Sequence, residues 1–79
     1  MRIRVRVFAA ARELVGKGEL LQELPDGATV QDLADRLFDA YPGLRPMRLR
    51  FAQNSAYAAP EAALHDGDEV AFIPPVGGG

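Results

Sequence analysis

"TVQDLADRLFDAYPG", residues 29–43, decides how the chain folds. Val30, Leu33, Ala34, Leu37, Phe38 and Tyr41 recur at helical spacing and make one apolar stripe. Gln31, Asp32, Asp35, Arg36 and Asp39 take the other faces. Thr29 with Asp32 three positions on has the form of a capping box, with Asp where Glu is usual. Pro42-Gly43 closes the segment, because proline cannot continue a helix. The spacing therefore predicts one well-bounded helix with one face to bury, and the rest of the chain must supply what covers it.

Working outward, that cover is β-structure. "RIRVRVF" (Arg2 to Phe8) alternates strictly, Ile3, Val5 and Val7 against Arg2, Arg4 and Arg6, which is the pattern of a half-buried strand. "AAARELVG" predicts a short helix stopped by Gly16 in the left-handed region. "GELLQEL" (Gly18 to Leu24) reads as a second strand, antiparallel to the first, before a Pro25-Asp26-Gly27 turn. Beyond the main helix, "MRLRFAQ" (Met47 to Gln53) alternates like a strand, and "NSAY" reads as a tight turn into a short strand through Tyr57. Pro60 to Leu64 is expected to form a turn of helix or 3-10 helix, with a sharp turn at Asp66-Gly67. "EVAFI" (Glu69 to Ile73) is the apolar, β-branched run of a central strand, and Pro74 ends it by withholding a ladder donor. These elements predict the α+β class, a mixed sheet packed on one main helix, with a domain over 1–73 and an extended tail over 74–79.

Composition narrows the function. At 79 residues the chain is one small domain, able to bury roughly 60% of its unfolded surface. A net charge of −2, with eight arginines spread along the sequence, gives no electrostatic case for nucleic acid or for a membrane surface. No cysteine is present, which removes disulfides, thiolate metal sites and thiol nucleophiles. No signal peptide or apolar run of membrane-spanning length is visible, and a cytoplasmic location is expected.

Internal catalytic groups are equally scarce. His65 is the sole histidine and sits beside an exposed turn. Asp66, Asp68 and Glu69 lack the ligand spacing of a calcium loop and read as turn chemistry on a solvated edge, so no metal site is expected. "GKG" at 16–18 is too short for a phosphate loop. Attention passes to the last six residues.

"PPVGGG" spans at most about 20 Å when extended. Pro74-Pro75 favours an extended base, which lowers the entropy lost on insertion into a pocket. Gly77, Gly78 and Gly79 need a channel no wider than a backbone, and a terminal glycine leaves its carbonyl carbon unhindered. These features suit a terminal carboxylate that is activated and then handed to a partner.

"DGDEVAFIPPVGGG" (Asp66 to Gly79) and "VFAAARELVG" (Val7 to Gly16) resemble the MoaD family, the small sulfur-carrier subunits of molybdopterin synthase among the ubiquitin-like carriers. The resemblance implies a ubiquitin-like β-grasp fold. It implies that an adenylyltransferase activates Gly79 with ATP, and that a sulfur donor displaces AMP to leave a thiocarboxylate. The large catalytic subunit then receives the tail and passes the sulfur to precursor Z in molybdenum cofactor synthesis. By the same resemblance the carrier is not itself an enzyme and binds no cofactor. Phe72, Pro74, Pro75 and Val76 would lie in the partner groove, with Phe8 and Arg12 contributing nearby. Gly77 departs from the Ser, Thr or Ala that members commonly carry there. Other readings are a carrier for thiamin thiazole or tRNA thiolation, a ubiquitin-like modifier joined through Gly79, and a non-covalent interaction domain. The proline pair favours the molybdopterin branch.

Overall fold

The computed structural model describes residues 1–75. In chain order the elements are β1 (Arg2–Val7), α1 (Ala9–Val15), β2 (Glu19–Glu23), α2 (Val30–Ala40), a 3-10 helix (Pro42–Met47), β3 (Arg50–Gln53), β4 (Ala56–Tyr57) and β5 (Glu69–Ile73). The sheet runs β2-β1-β5-β3-β4, with β1 and β5 parallel and every other neighbouring pair antiparallel. The last strand thus lies at the centre, hydrogen-bonded along both edges to β1 and β3. The mixed sheet and single main helix form the ubiquitin-like β-grasp fold.

The alternation of β1 maps directly onto burial. Ile3, Val5 and Val7 are enclosed under α2, and Arg2, Arg4 and Arg6 face outward. Val30, Leu33, Ala34 and Leu37 meet them from the helix, and Val70 and Phe72 come from β5. The capping box at the head of α2 is complete. Thr29 Oγ1 accepts the Asp32 N–H at 3.2 Å, and Asp32 Oδ2 accepts the Thr29 N–H at 2.9 Å. Two further N–H groups of its first turn, which have no partner inside the helix, donate to the loop before β5: Val30 to the Ala62 carbonyl and Gln31 to the Pro60 carbonyl.

That loop corrects one expectation. Pro60 to Leu64 forms no helix; it turns at Pro60-Glu61 and then bridges Ala63 to Thr29. The Pro60 and Ala62 carbonyls are committed to the head of α2, and the single turn the segment makes is closed by the Ala62 N–H donating to the Ala59 carbonyl at 3.0 Å. A second correction concerns Met47 to Gln53, where the strand begins only at Arg50. Pro42 and Pro46 carry the chain through a 3-10 helix that buries Leu44 completely, and Arg48 at φ 54° breaks the path before β3. The apolar side chains of Met47, Leu49 and Phe51 still pack on the core, so the period-two signal reported burial rather than an extended backbone.

Candidate functional site

Neighbouring residues of β5 point to opposite sides of the sheet. Val70 and Phe72 go into the core, and Ala71 and Ile73 go to the outer face. Across the ladder, Ala71 lies between Arg6 of β1 and Ala52 of β3, and Ala52 is paired in turn with Tyr57 of β4. Two alanines side by side leave a trough in the sheet surface. Arg6 and Phe8 make one wall, Ser55 and Tyr57 the other, and the enclosed volume is about 360 Å³. At its upper end the trough opens onto a second hollow lined by Arg50, Tyr57, Ile73, Pro74 and Pro75. The groove therefore runs along β5 to the base of the tail.

Its rim carries aromatic and cationic side chains, and Glu69, which is ion-paired with Arg4, also lines it. Tyr57 is 72% exposed and Phe8 39%, large fractions for rings in so small a protein. The Arg6 guanidinium lies 5.5 Å from the centroid of the Phe8 ring, and that of Arg50 lies 5.9 Å from Tyr57. Cations at this distance are attracted to the ring face and are held in place by it. Tyr57 reaches this position through a two-residue turn with Asn54 at φ 48° and Ser55 at φ 72°, the geometry that suits a tight hairpin.

The structure distributes the expected site residues unevenly. Phe8, Pro74 and Pro75 line the groove or its extension. Phe72 does not: it is fully buried, its ring set edge-on to Phe51, so it cannot touch a partner and is corrected here to a core residue. Strand parity explains this, since only alternate residues of β5 face out. Arg12 is exposed but lies over Gly18 at the start of β2, with Nε 3.3 Å from where a Cβ at Gly18 would stand, and it does not line the groove. Val76, Gly77, Gly78 and Gly79 lie outside the described residues. Sequence reasoning missed Ile73, Tyr57, Arg6 and Arg50. Their signal was present in the outward parity of β5 and the hairpin, but it needed the strand order to become a surface.

The acidic cluster is structural. Asp66 accepts the Arg2 N–H at 2.7 Å, and Glu69 is ion-paired with Arg4 at 3.3 Å. Asp68, expected on a solvated edge, is buried instead. Its carboxylate accepts from Gln53 Nε2 at 2.8 Å, Asn54 Nδ2 at 2.9 Å and the His65 N–H at 2.8 Å. Burial pushes its pKa up, but these donors, with the nearby His65 ring, hold it below the ordinary carboxylate value. The network ties the β3–β4 turn to the start of β5. His65 itself is exposed, and among the described residues no group of three or more acidic, histidine or cysteine side chains is placed to hold a metal. What the surface offers is a groove lined by aromatic and cationic side chains that leads to Pro74 and Pro75.

Known proteins are similar to this chain over their whole length. The chain is 45% identical over 83 aligned positions to the molybdopterin synthase sulfur carrier subunit of Chlamydomonas reinhardtii, covering 100% of both. It is 39% identical to the subunit of the same description from Mycobacterium tuberculosis, covering 100% of this chain and 99% of that one. SAMP1 from Haloferax volcanii superposes with a TM-score of 0.88 at 29% identity, each chain covered completely. The ThiS family model matches residues 5–79, from inside β1 through the glycines, and the chain belongs to that family.

Proposed function

We propose that this protein is the sulfur carrier subunit of molybdopterin synthase, with the α-carboxylate of Gly79 as its working group. One observation carries the reading: the central strand leaves the core at Phe72 and, one residue later, opens into a groove beside Tyr57 at the base of the triglycine tail. End-to-end identity to named sulfur carrier subunits supports the pathway.

A carboxylate resists substitution because its oxygen leaves badly. In the first step a Gly79 oxygen attacks the α-phosphorus of ATP on a partner adenylyltransferase, and pyrophosphate departs. Sulfur delivered by a donor at the sulfide level, as HS⁻ or its equivalent, then attacks the acyl carbon, and AMP leaves with the electron pair of the broken C–O bond. The product is a C-terminal thiocarboxylate. The carrier contributes no acid, base or metal to either step; it presents the carbonyl and recognises its partners. Ile73, Phe8 and Tyr57 offer apolar anchors of the sort that dominate docking, and Pro74-Pro75 holds the tail base extended as the glycines enter the large subunit. There the thiocarboxylate sulfur bonds to a carbon of precursor Z, and water cleaves the bond between that sulfur and the Gly79 carbonyl, leaving the sulfur on the acceptor and regenerating the carboxylate.

The test is direct. Incubation with the activating enzyme, ATP and a sulfur donor should exchange one oxygen of Gly79 for sulfur, read by intact mass and fragment mapping. The thiocarboxylate form with the large subunit should then convert precursor Z to molybdopterin. An unchanged mass overturns the proposal. So does a thiocarboxylate that the large subunit cannot use but a thiazole or tRNA thiolation system can. Isopeptide conjugates on host lysines, without sulfur loading, would establish the modifier reading in its place.

A further inference from the structure

Four arginines stand on the outer face of the sheet: Arg2, Arg4, Arg6 and Arg50. Two are neutralised, Arg2 by Glu23 at 3.0 Å and Arg4 by Glu69 at 3.3 Å. Arg6 is directly opposite Glu19 in the ladder, where a cross-strand ion pair would ordinarily form. No such pair is made. Its guanidinium turns the other way, onto Phe8 and into the groove wall. Arg50, opposite Ile73 at the end of β5, likewise has no carboxylate within ion-pair distance among the described residues, and it rests on Tyr57. Because β1 and β3 are the two neighbours of β5, these cations stand on either side of β5 on strands roughly 10 Å apart, Arg6 level with Ala71 and Arg50 level with Ile73.

We propose that Arg6 and Arg50 are a charge-recognition pair, and that the large subunit carries carboxylates on both sides of the channel that admits the tail. The inference rests on the sulfur-carrier reading and adds the chemistry of the partner's rim. Each guanidinium is oriented in advance by its ring, so little side-chain freedom is lost on pairing. Arg50 lines the hollow at Pro74 and Pro75, and Arg6 lines the trough along β5 that leads to it, so the two contacts would align the end of β5, and with it the tail, with the channel before the glycines insert. Charges at such a rim chiefly set the rate of association and its dependence on salt.

Association of the full-length protein with its cognate large subunit, measured at low and high ionic strength, tests the pair. The double variant Arg6→Glu, Arg50→Glu should associate at least about tenfold more slowly at low salt and lose most of the salt dependence. Arg6→Gln with Arg50→Gln should fall between, and it avoids placing a new acid opposite Glu19; circular dichroism checks that both variants fold. The reversal Arg36→Glu with Arg45→Glu, on α2 and the 3-10 helix, changes net charge equally and should leave association near wild type. Wild-type rates in both Arg6/Arg50 variants would overturn the pair, as would an equal loss in the Arg36/Arg45 control. Slowed adenylation with unaltered binding to the large subunit would also overturn it. If wild-type protein neither binds the large subunit nor accepts sulfur, the carrier reading itself falls and takes the pair with it. Normal wild-type sulfur transfer with indifferent arginine variants defeats the pair alone.

Discussion

Phe72 packs edge-on against Phe51, their ring centroids 5.0 Å apart and their planes at 72°, while its neighbour Ile73 faces the outer groove. The strand that presents the tail is thereby anchored in the core up to the last residue before it emerges. Rigidity of the delivery strand and exposure of its end come from the same alternation.

Phe72 and Ile73 should therefore fail differently. Phe72→Ala removes a wholly buried ring and should cost about 3–5 kcal/mol. That is a large part of the roughly 4–12 kcal/mol expected for a domain of this size. Ile73→Ala should leave the urea midpoint nearly unchanged and weaken binding to the large subunit. Denaturation curves set beside binding isotherms separate the two; equal stability loss from both would contradict the parity argument.

Asp68 should give the fold an acid limb. Its folded pKa is lowered, so its contribution is fully present above the unfolded value of about 3.9 and is lost as pH falls through the lower folded value. Asp68→Asn should destabilise the protein by about 1.5–3 kcal/mol at neutral pH, because charged hydrogen bonds become neutral and one acceptor is lost. The difference between variant and wild type should narrow in strong acid. Chemical denaturation at neutral pH and near pH 2 checks both halves.

Ser55 occupies the left-handed region at φ 72° in the turn that positions Tyr57. Glycine has no Cβ to strain there, so Ser55→Gly should stabilise the protein by about 1 kcal/mol. A lower melting temperature would show that the hydroxyl makes a contact worth more than the strain.

Thr29→Ala removes one half of the capping box and should cost about 1 kcal/mol. Thr29→Ser keeps the oxygen acceptor and should restore most of that loss. Thermal unfolding of the two variants measures it.

Local patterning carried much of this protein. Strict alternation in Arg2–Val7, the stripe from Val30 to Tyr41, the Thr29/Asp32 box and the Gly16 stop are short-range features, and each appears where the residues placed it. The expectation for the tail rests on a short-range feature of the same kind, bare glycines after two prolines, and its glycines lie outside the described residues. Met47–Gln53 and Pro60–Leu64 were misread because their conformation is decided by distant partners. Leu44 is drawn into the core, and the Pro60 and Ala62 carbonyls cap the head of α2. Strand order alone made a groove from Ala52 and Ala71, moved Phe72 from the interface to the core, buried Asp68 under Gln53 and Asn54, and brought Arg6 and Arg50 to opposite sides of one strand. Periodicity tells each residue which face it takes; only the pairing of segments far apart in sequence tells it which neighbours share that face.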